Sequence, residues 1–322
     1  MADRARANFV HADEAITPDV SVLIVGYNCR DLLIDCLDHL LASTGEPTYE
    51  IVFIENGHQD DSVAVVRDRY PGVRILDNDA NHGFGGGNNR AAAAARGEYV
   101  LLLNPDTRIA HDALAELWRA AEARPDVGAV GGVTLHEDGS IEASCAQPGP
   151  TYRVALLNAI GLGRFCRSVI DIPDEPVRAR VLSGAFMMLP RELWNELGGF
   201  DESYFLYNEE TDLCLRVAET GRELWLIPSA RLVHLVGSGD SLRPDRLMAM
   251  TRSGMHLTRR RMARWRWPLT AGMIFLHSGT RWFGSWLAWP IVGADRARRL
   301  RAAFGPVLFG PQRWWRGWEG GP

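Results

Sequence analysis

A run of four apolar residues that ends abruptly, from Val100 to Leu103, constrains this chain more than any other stretch. Its composition is typical of a strand that is buried on both faces of a parallel sheet. Pro105 comes two residues later, and it can neither donate to a sheet ladder nor allow Asn104 a helical conformation. We therefore predict that Asp106 lies just past the carboxyl end of a central strand, where open α/β sheets bind their ligands.

The carboxylate of Asp106 has two interpretations at such a position. It is suited to a hard divalent cation that carries diphosphate oxygens. The alternative is a turn after the strand, in which the aspartate only caps nearby backbone amides. This stretch by itself leaves both interpretations open.

Segments typical of strands and of helices alternate through the first part of the chain. Strands are predicted at 20–25, 50–54, 73–76 and 99–103, and helices at 32–41, 62–70, 90–96 and about 112–123. This alternation predicts an α/β fold with a mostly parallel sheet and right-handed crossovers. Further strands are predicted at 128–134, 181–189, 224–227 and 231–234, with helices at 192–197 and 212–219 and a long irregular loop at 145–178.

Charge is distributed unevenly along the 322 residues. Every basic residue is an arginine, and the formal net charge is −5. Residues 1–240 carry a net charge of −17, whereas residues 241–322 carry +12 and contain eight of the 11 tryptophans. Such asymmetry indicates two regions with different partners. We predict a loose polar arm at 1–18, a main domain at 19–240 and a basic, tryptophan-rich helical region at 241–322.

The cysteines and the amino terminus bear on the compartment. The five cysteines form no CxxC pair and have no metal-ligand spacing, which predicts reduced thiols in the cytoplasm. The amino terminus carries Asp3, Asp13 and Glu14 without an apolar stretch, so we expect no secretory signal.

Polar motifs follow the first two predicted strands, and a glycine-rich motif follows the third. Glu55, after the second strand, is positioned to accept hydrogen bonds from a base or a ribose, although a polar strand cap is the commoner role. The segment 81–89 lacks the GxxxxGK[ST] pattern and does not follow the first strand, so it is neither a P-loop nor a dinucleotide fingerprint. Its glycines allow close approach to a ligand, and a flexible turn is the alternative.

A second acidic centre occurs at Glu209, Glu210 and Asp212. Like charges beside a cleft raise the pKa of a carboxylate, which favours a general base. The alternative is an acidic helix amino terminus stabilised by the helix dipole. Asp212 and Arg216 have the i,i+4 spacing of an ion pair that is usually structural. His234 follows a predicted strand, and we weigh a metal ligand against a hydrogen-bonded structural role.

Taken in order, these motifs resemble those of family-2 glycosyltransferases of the GT-A fold, and most closely the bacterial rhamnosyltransferase-like branch. The resemblance covers about residues 19–240 and rests on Gly26-Tyr27-Asn28, Glu55-Asn56-Gly57, Asn81-x-Gly-Phe-Gly-Gly-Gly-Asn-Asn, Asn104-Pro-Asp106, Ser183-Gly184-Ala185, Gly198-Gly199-Phe200-Asp201-Glu202, Glu209-Glu210-x-Asp212-Leu-Cys-x-Arg216 and His234. It implies a GT-A-type α/β fold with a central sheet flanked by helices, a nucleotide-diphospho-sugar donor, Mg²⁺ or Mn²⁺, and inversion at the sugar carbon.

The resemblance also implies roles for individual residues. The donor nucleotide-sugar would be bound by Gly26, Tyr27, Asn28, Glu55, Asn56, Asn81, Gly83, Gly86, Asn89, Asn104 and Asp106. The metal would be held by Asp106, with His234 as a candidate second ligand. The acceptor or the donor sugar would contact Ser183, Gly184 and Asp212. Glu210 stands where the family usually has the aspartate that acts as catalytic base, with Glu209 as its rival.

Three departures from the family pattern bear on these roles. Glu55 and Glu210 each replace an aspartate and are one methylene longer, which makes the base assignment less direct. The metal motif is Asn-Pro-Asp rather than Asp-x-Asp, so one carboxylate is missing and a modest metal affinity is expected.

The basic region from residue 241 onward lies outside the resemblance. Arginine and tryptophan alternate at 259–267, and the apolar residues at 267–292 are interrupted by charged, histidine and proline residues. No run reaches the roughly 18 apolar residues of a spanning helix, and this composition favours an anionic membrane surface. A packed helical subdomain is the alternative, and we expect no nucleic-acid partner because nothing in 1–240 resembles a nucleic-acid module.

The sequence thus predicts a cytoplasmic enzyme that is peripheral on the inner face of the cell membrane. It would transfer a sugar, rhamnosyl from dTDP-rhamnose, to a hydroxyl of a lipid-linked or polysaccharide acceptor in cell-envelope glycan synthesis. The alternatives are a UDP- or GDP-sugar donor on the same scaffold, or a weakly active nucleotide-sugar-binding protein. A homodimer is also left open.

Overall fold

The computed structural model describes residues 8–43, 45–57, 60–142, 145–147, 156–157, 160, 174–235 and 242–318. The chain divides into two units. The first contains residues 1–148, 172–202 and 210–237, and the second contains 149–171, 203–209 and 238–322. The second unit therefore includes a segment, 203–209, that we expected in the main domain at 19–240.

The first unit is built around a central sheet. Its strands are β1 (Val20–Gly26), β2 (Tyr49–Glu55), β3 (Arg74–Leu76), β4 (Tyr99–Leu103), β5 (Thr107–Ile109), β6 (Val127–Leu135), β7 (Ala146–Gln147), β8 (Val177–Ala179), β9 (Val181–Leu182), β10 (Phe186–Pro190) and β11 (Glu223–His234). Its helices are α1 (Arg30–Leu41), α2 (Ser62–Arg69), α3 (Gly83–Ala93), α4 (Ala113–Glu122), α5 (Arg191–Leu197) and, starting at the last residue of the 203–209 segment, α6 (Glu209–Glu219).

The sheet has the strand order β3-β2-β1-β4-β10-β6-β11-β5, with β8 paired to β11. The first four strands are parallel, as the alternation of strands and helices predicts. β10 runs antiparallel to both β4 and β6, so the other half of the sheet is mixed. The predicted α/β fold with a central sheet flanked by helices is confirmed. β7 and β9 form a separate two-stranded sheet.

The central strands are buried because their sequences are apolar on both faces. β1, β2 and the last four residues of β4 are buried throughout. Helix α1 packs its buried side, including Leu33, Leu37 and Leu40, into the same core. Asp106 does lie just past the carboxyl end of β4, between that strand and β5.

Several element boundaries differ from the prediction. The glycine-rich segment predicted as a loop is helical, because α3 begins at Gly83 instead of residue 90. Its glycines serve close packing: a Cβ on Gly87 would lie 2.7 Å from a methyl group of Val25. The strand predicted at 181–189 is split into β9 and β10, whereas β11 is continuous through Pro228, with a register irregularity there. The helix predicted to begin at Asp212 begins at Glu209.

The amino-terminal arm is packed from Asn8 onward, which corrects the predicted loose arm. Phe9 and Val10 are buried, and the arm exchanges backbone hydrogen bonds of 2.8 and 2.9 Å with Tyr49 of β2. Apolar burial and sheet-like bonding thus outweigh the polar character of this segment. Residues 1–7 and most of the loop predicted at 145–178 lie outside the described residues.

A buried carboxylate, Glu50, lies near the amino end of β2, at the opposite end of that strand from Glu55. Glu50 has a side chain only 1% exposed and accepts hydrogen bonds from the Ser21 hydroxyl (2.7 Å) and from the backbone N–H (2.7 Å) and Nε (2.8 Å) of Arg96. Removing one partner of a buried ion pair leaves an uncompensated charge and costs about 3–5 kcal/mol. We expect Glu50→Ala to lower the free energy of unfolding by about that amount, measured by urea denaturation. Asp61→Ala is the control, since its ion pair with Arg30 is exposed and its loss should leave the midpoint almost unchanged.

The second unit is helical, as predicted for the basic region. It contains α7 (Pro244–Arg261), α8 (Trp267–Val292) and α9 (Ala294–Phe309), with 3₁₀ turns at Arg264–Arg266 and Pro311–Arg313. Its core includes Met255, Val307 and the fully buried Trp314, whose Nε1 donates to the Val307 carbonyl at 2.8 Å. Within the described ranges, no helix has the length and apolar character needed to cross a membrane.

Candidate functional site

The carboxyl ends of β1 and β2 meet at Gly26 and Glu55, which are paired in register. Glu55 is 2% exposed, and its Oε1 accepts the backbone N–H groups of Asn28 (3.1 Å) and Gly57 (2.7 Å). Its Oε2 has no hydrogen-bond partner among the residues that the structure describes. A buried acceptor without a partner costs about 1–3 kcal/mol, so this oxygen is positioned to accept a hydrogen bond from a ligand.

The backbone after β1 runs close over this carboxylate. A Cβ on Gly26 would lie 2.8 Å from Glu55 Oε2, and Asn28 adopts a left-handed conformation with φ of 50°. Tyr27 is 57% exposed. An open cavity of about 440 Å³ borders Asn28 and is lined by residues that sequence reasoning missed, Arg30, Asp60 and Asp61. The structure thus brings the predicted residues Gly26, Asn28 and Glu55 together, and Asn28 among them lines the cavity.

The residues predicted to shape the donor cleft on α3 mainly support that helix. Asn56 Nδ2 donates to the Gly83 carbonyl at 2.9 Å, and Asn81 Oδ1 accepts the Gly83 N–H at 2.9 Å. Asn89 bonds both the N–H (2.8 Å) and the carbonyl (2.9 Å) of Phe200. Gly86 is buried, and a Cβ there would lie 2.9 Å from the Cβ of His82. These contacts favour a structural role over direct contact with a donor.

Asp106, His234 and Glu142 form a chain of hydrogen bonds at the end of β4. The imidazole Nε2 lies 3.2 Å from Asp106 Oδ1, and Nδ1 lies 3.0 Å from Glu142 Oε2. Burial lowers the pKa of His234, but the hydrogen bonds and charges of the two carboxylates outweigh it and raise the pKa to about 9. The two residues predicted to bind metal are therefore adjacent, and His234 is oriented from its far side by a third residue.

The donor set of this cluster fits a divalent ion bound jointly with a ligand. A carboxylate oxygen and an imidazole nitrogen face each other, and a carboxylate holds the other ring nitrogen, as is common for metal-binding histidines. No group of three or more His, Cys, Asp or Glu side chains in the described ranges could hold a metal ion by itself. Glu142 contacts Nδ1 of His234, whereas Asp106 faces Nε2. Of these three residues, Asp106 and His234 are therefore the two that could bind the same ion. Such a pair needs further oxygen ligands, which a diphosphate would supply.

Glu142 was not predicted, and little in the sequence marks it. It follows a tight turn at 136–140, in which the His136 N–H donates to the Ser140 carbonyl at 2.8 Å. Its N–H bonds the Thr134 carbonyl at 2.8 Å, next to the register pairing of Leu135 with Val233. Only this pairing of distant segments brings Glu142 beside His234.

The segment 183–185 connects the end of β4 with Glu210. The N–H of Asn104 donates to the Ala185 carbonyl at 3.2 Å, and a Cβ on Gly184 would lie 3.4 Å from the Cβ of Glu210. The Oδ1 of Asn104 has no hydrogen-bond partner within the described residues. Ser183 turns this segment, with its hydroxyl accepting the Ala185 N–H at 3.3 Å.

The two glutamates that begin α6 differ in exposure. Glu209 is 3% exposed, whereas Glu210 is half-buried and can be reached by solvent. Tyr207 and Asn208, just before the helix, both have positive φ, 69° and 66°, a conformation that costs energy for residues other than glycine. Such strain is often found at functional sites.

Asp212 has a structural partner. Its side chain is 1% exposed and accepts a hydrogen bond from Arg216 Nε at 2.8 Å, while Arg216 also donates to the Leu197 carbonyl at 2.9 Å. This ion pair was anticipated from the i,i+4 spacing. It favours a structural role for Asp212 over the predicted contact with a sugar.

Comparison with protein families and known proteins adds to this geometry. Residues 21–168 match the family model for glycosyl transferase family 2, and residues 99–310 match that for glycosyl transferase family group 2. The chain is 28% identical to the N-acetylglucosaminyl-diphospho-decaprenol L-rhamnosyltransferase of Mycobacterium tuberculosis over 275 residues, which is 79% of this chain and 89% of that protein.

Solved structures of low sequence identity share the fold. The crystal structure of GalNAc-T7 with UDP, GalNAc and Mn²⁺ superposes with a TM-score of 0.57 at 15% identity, over 92% of this chain and 57% of that protein's chain. The mannosyltransferase PcManGT from Pyrobaculum calidifontis, in complex with GDP-Man and Mn²⁺, gives a TM-score of 0.55 at 19% identity over 98% of this chain and 88% of that one.

Proposed function

Because the chain belongs to glycosyl transferase family group 2 and is an enzyme of the GT-A fold, we propose that it transfers a rhamnosyl group from dTDP-rhamnose to an acceptor hydroxyl. The acceptor is a lipid-linked or polysaccharide glycan of the cell envelope. The observation that carries the proposal is the alignment of unpartnered acceptor atoms, Glu55 Oε2 and Asn104 Oδ1, with the Asp106–His234 pair along the carboxyl ends of β2 and β4.

The donor nucleotide is assigned to the ends of β1 and β2. Glu55 Oε2 accepts a hydrogen bond from the base or the ribose, and Gly26 leaves room for a close approach because any larger residue would contact that oxygen. The cavity beside Asn28 offers space for the nucleoside. Asn104 and Asp106 lie further along the same edge, where the diphosphate belongs.

Asp106 and His234 would hold the divalent ion, Mg²⁺ or Mn²⁺, and Glu142 orients the imidazole. A bound ion would neutralise the negative charge that develops on the departing nucleotide diphosphate. A ligand imidazole must be neutral, and the two carboxylates raise the pKa of His234 to about 9, so metal binding would compete with protonation of this residue.

Glu210 acts as the general base. It accepts the proton of the acceptor hydroxyl, whose oxygen then forms a bond to the anomeric carbon on the face opposite the nucleotide. The bond from that carbon to the diphosphate oxygen breaks, and the nucleotide diphosphate leaves with the electron pair. A single displacement of this kind inverts the configuration at the carbon. Exposure favours Glu210 over Glu209 because a base must reach the incoming acceptor.

A thermal-shift panel tests the donor assignment. The melting temperature should rise most with dTDP-rhamnose in the presence of Mn²⁺, because a ligand that binds only the folded state stabilises it by about 2.7 kcal/mol at 100 times its Kd. UDP- and GDP-sugars are the comparison ligands. A larger shift with one of them would replace the donor, and no shift with any of them would contradict the proposed site.

Rhamnosyl transfer to a lipid-linked acceptor gives the enzyme a reason to work at a membrane. We propose that it is peripheral on the inner face of the cell membrane, where cytoplasmic donor and lipid-anchored acceptor meet. The contrast between the −17 of residues 1–240 and the +12 of residues 241–322 supports attachment to anionic lipid through the basic region.

A further inference from the structure

Helix α8 exposes several large apolar side chains, whereas its buried side combines apolar contacts, such as Ala271 in the core of this unit, with small polar residues. Ser278 and Ser285 are each 2% exposed, and the one arginine of the helix, Arg281, is half-buried. The large apolar side chains on the exposed side, between 41 and 85% accessible, include Leu269, Leu276, Phe283, Trp286 and Leu287. A helix on the surface of a water-soluble domain has the opposite arrangement. The exposed side of α8 is therefore matched to an apolar environment.

This surface is continuous along the helix. Leu269, Leu276 and Phe283 recur every seven residues, and Leu287 follows one turn later, so they lie on one side. From Leu269 to Leu287 the surface extends about 27 Å along the helix axis. A contiguous apolar surface of that extent on a protein marks an interaction site.

Arginines border the surface at both ends. Arg264 and Arg266 are exposed just before the helix, and Arg296 and Arg298 are exposed at the start of α9. Along the side of the helix, the guanidinium of Arg301 lies 4.1 Å from the ring centre of Trp286. The sequence from Arg246 to Trp318 contains a single acidic residue, Asp295. An apolar surface bordered by arginines is complementary to a partner that has an apolar interior and an anionic surface.

We propose that the exposed side of α8 is a membrane-binding surface that lies in the interface of an anionic bilayer. Leucine and phenylalanine side chains enter the acyl boundary, tryptophans sit at its edge, and the bordering arginines bind lipid phosphates. A second copy of the chain is a poorer partner, because a symmetric contact would oppose two regions that each carry +12. This inference deepens the proposed function and rests on its lipid-linked acceptor.

Not every tryptophan of the basic region lies on this surface. Trp267 is half-buried beneath the guanidinium of Arg259, which lies 4.2 Å from its ring centre, and Trp282 packs edge-on against Phe309 at 5.1 Å. Their roles are packing within the helical unit. The anchoring residues are instead on the outer side of α8, where Leu287 is 85% exposed.

Flotation of the full-length protein with vesicles tests the surface. Vesicles of phosphatidylglycerol and phosphatidylcholine in equal parts are compared with phosphatidylcholine alone, without nucleotide-sugar. The double variant Phe283→Gln/Leu287→Gln should bind at least about tenfold more weakly to the anionic vesicles, because two side chains no longer leave water. Arg264→Gln/Arg266→Gln should lose up to about fivefold per arginine on anionic vesicles only.

The matched control is Met250→Gln, which changes a 46% exposed apolar side chain on α7 in the same unit. It should float like the wild type, and circular dichroism should be unchanged in every variant. Equal flotation of the Phe283→Gln/Leu287→Gln variant and the wild type would overturn the proposal. So would a wild type that binds no vesicles but sediments as a dimer that this variant dissociates. Neither result would alter the thermal shift with donor, so failure here is distinguishable from failure of the proposed reaction.

Discussion

Sugar transfer by the Asp106→Ala variant should fall by at least roughly 10³-fold, because the lost stabilisation of leaving-group charge is worth several kcal/mol. The variant removes the carboxylate that lies 3.2 Å from the imidazole Nε2 of His234. Its fold should be intact, since the side chain is 20% exposed and lies after the last residue of β4. Transfer is measured with Mn²⁺, and the donor-dependent thermal shift is measured with and without the metal.

Glu142→Gln is the matched variant for this experiment. It keeps the size of the side chain and removes the charge that orients His234 from Nδ1. Loss of such a supporting carboxylate typically weakens metal binding by about 10–100-fold, so raised Mn²⁺ should restore its activity but not that of Asp106→Ala. Full activity of the wild type in excess chelator would show that the metal assignment is wrong.

Glu210→Gln is expected to lower the rate of transfer by about 10² to 10⁴ while leaving donor binding unchanged, as removal of a general base usually does. The isosteric amide keeps the size of the side chain but cannot accept the proton of the acceptor hydroxyl. Glu210→Asp retains a carboxylate and should keep part of the activity.

Glu209→Gln is the neighbouring control. Glu209 is 3% exposed, so its replacement should affect stability more than the chemical step. The rate of a single turnover separates the two effects, because it is measured on folded protein with donor already bound. An inactive Glu209→Gln beside an active Glu210→Gln would move the base by one residue.

The parts of the fold that sequence reasoning predicted well are those with a strong local signal. The apolar runs of β1, β2 and β4 need burial on both faces, and this alone placed Gly26, Glu55 and Asp106 at one edge of the sheet. The direction of β10 had no such signal, because an apolar run shows that a strand is buried but does not show whether it pairs parallel or antiparallel with its neighbour. The segment Gly85–Gly87 was misread as a loop because glycine disfavours helices, a preference here outweighed by close packing against β1.

The candidate site was predictable where a residue follows a strand and not where a contact joins distant segments. Asp106 follows β4 and directly precedes β5, and His234 is the last residue of β11. The pairing of β5 with β11 brings the two residues together. Glu142 lies 92 residues from His234 and depends on the pairing of β6 with β11, for which no residue pattern exists. The burial of Asp212 likewise depends on tertiary packing. Asp212 was predicted to contact a sugar, but its side chain is buried and forms an ion pair with Arg216.

The segment 203–209 has a consequence for how modular this enzyme is. Its Tyr204 is fully buried, Ser203 bonds His256 at 2.8 Å, and the Leu206 carbonyl accepts the Ser253 hydroxyl at 2.5 Å, all within the helical unit. The next residue along the chain after this segment is Glu210. A cut at residue 240 would therefore remove the packing partners of the segment that leads into Glu210, the proposed general base, so we expect a fragment that ends there to be inactive. Exchanging the carboxy-terminal helices between relatives should cause the same loss of activity, unless residues 203–209 are exchanged together with them.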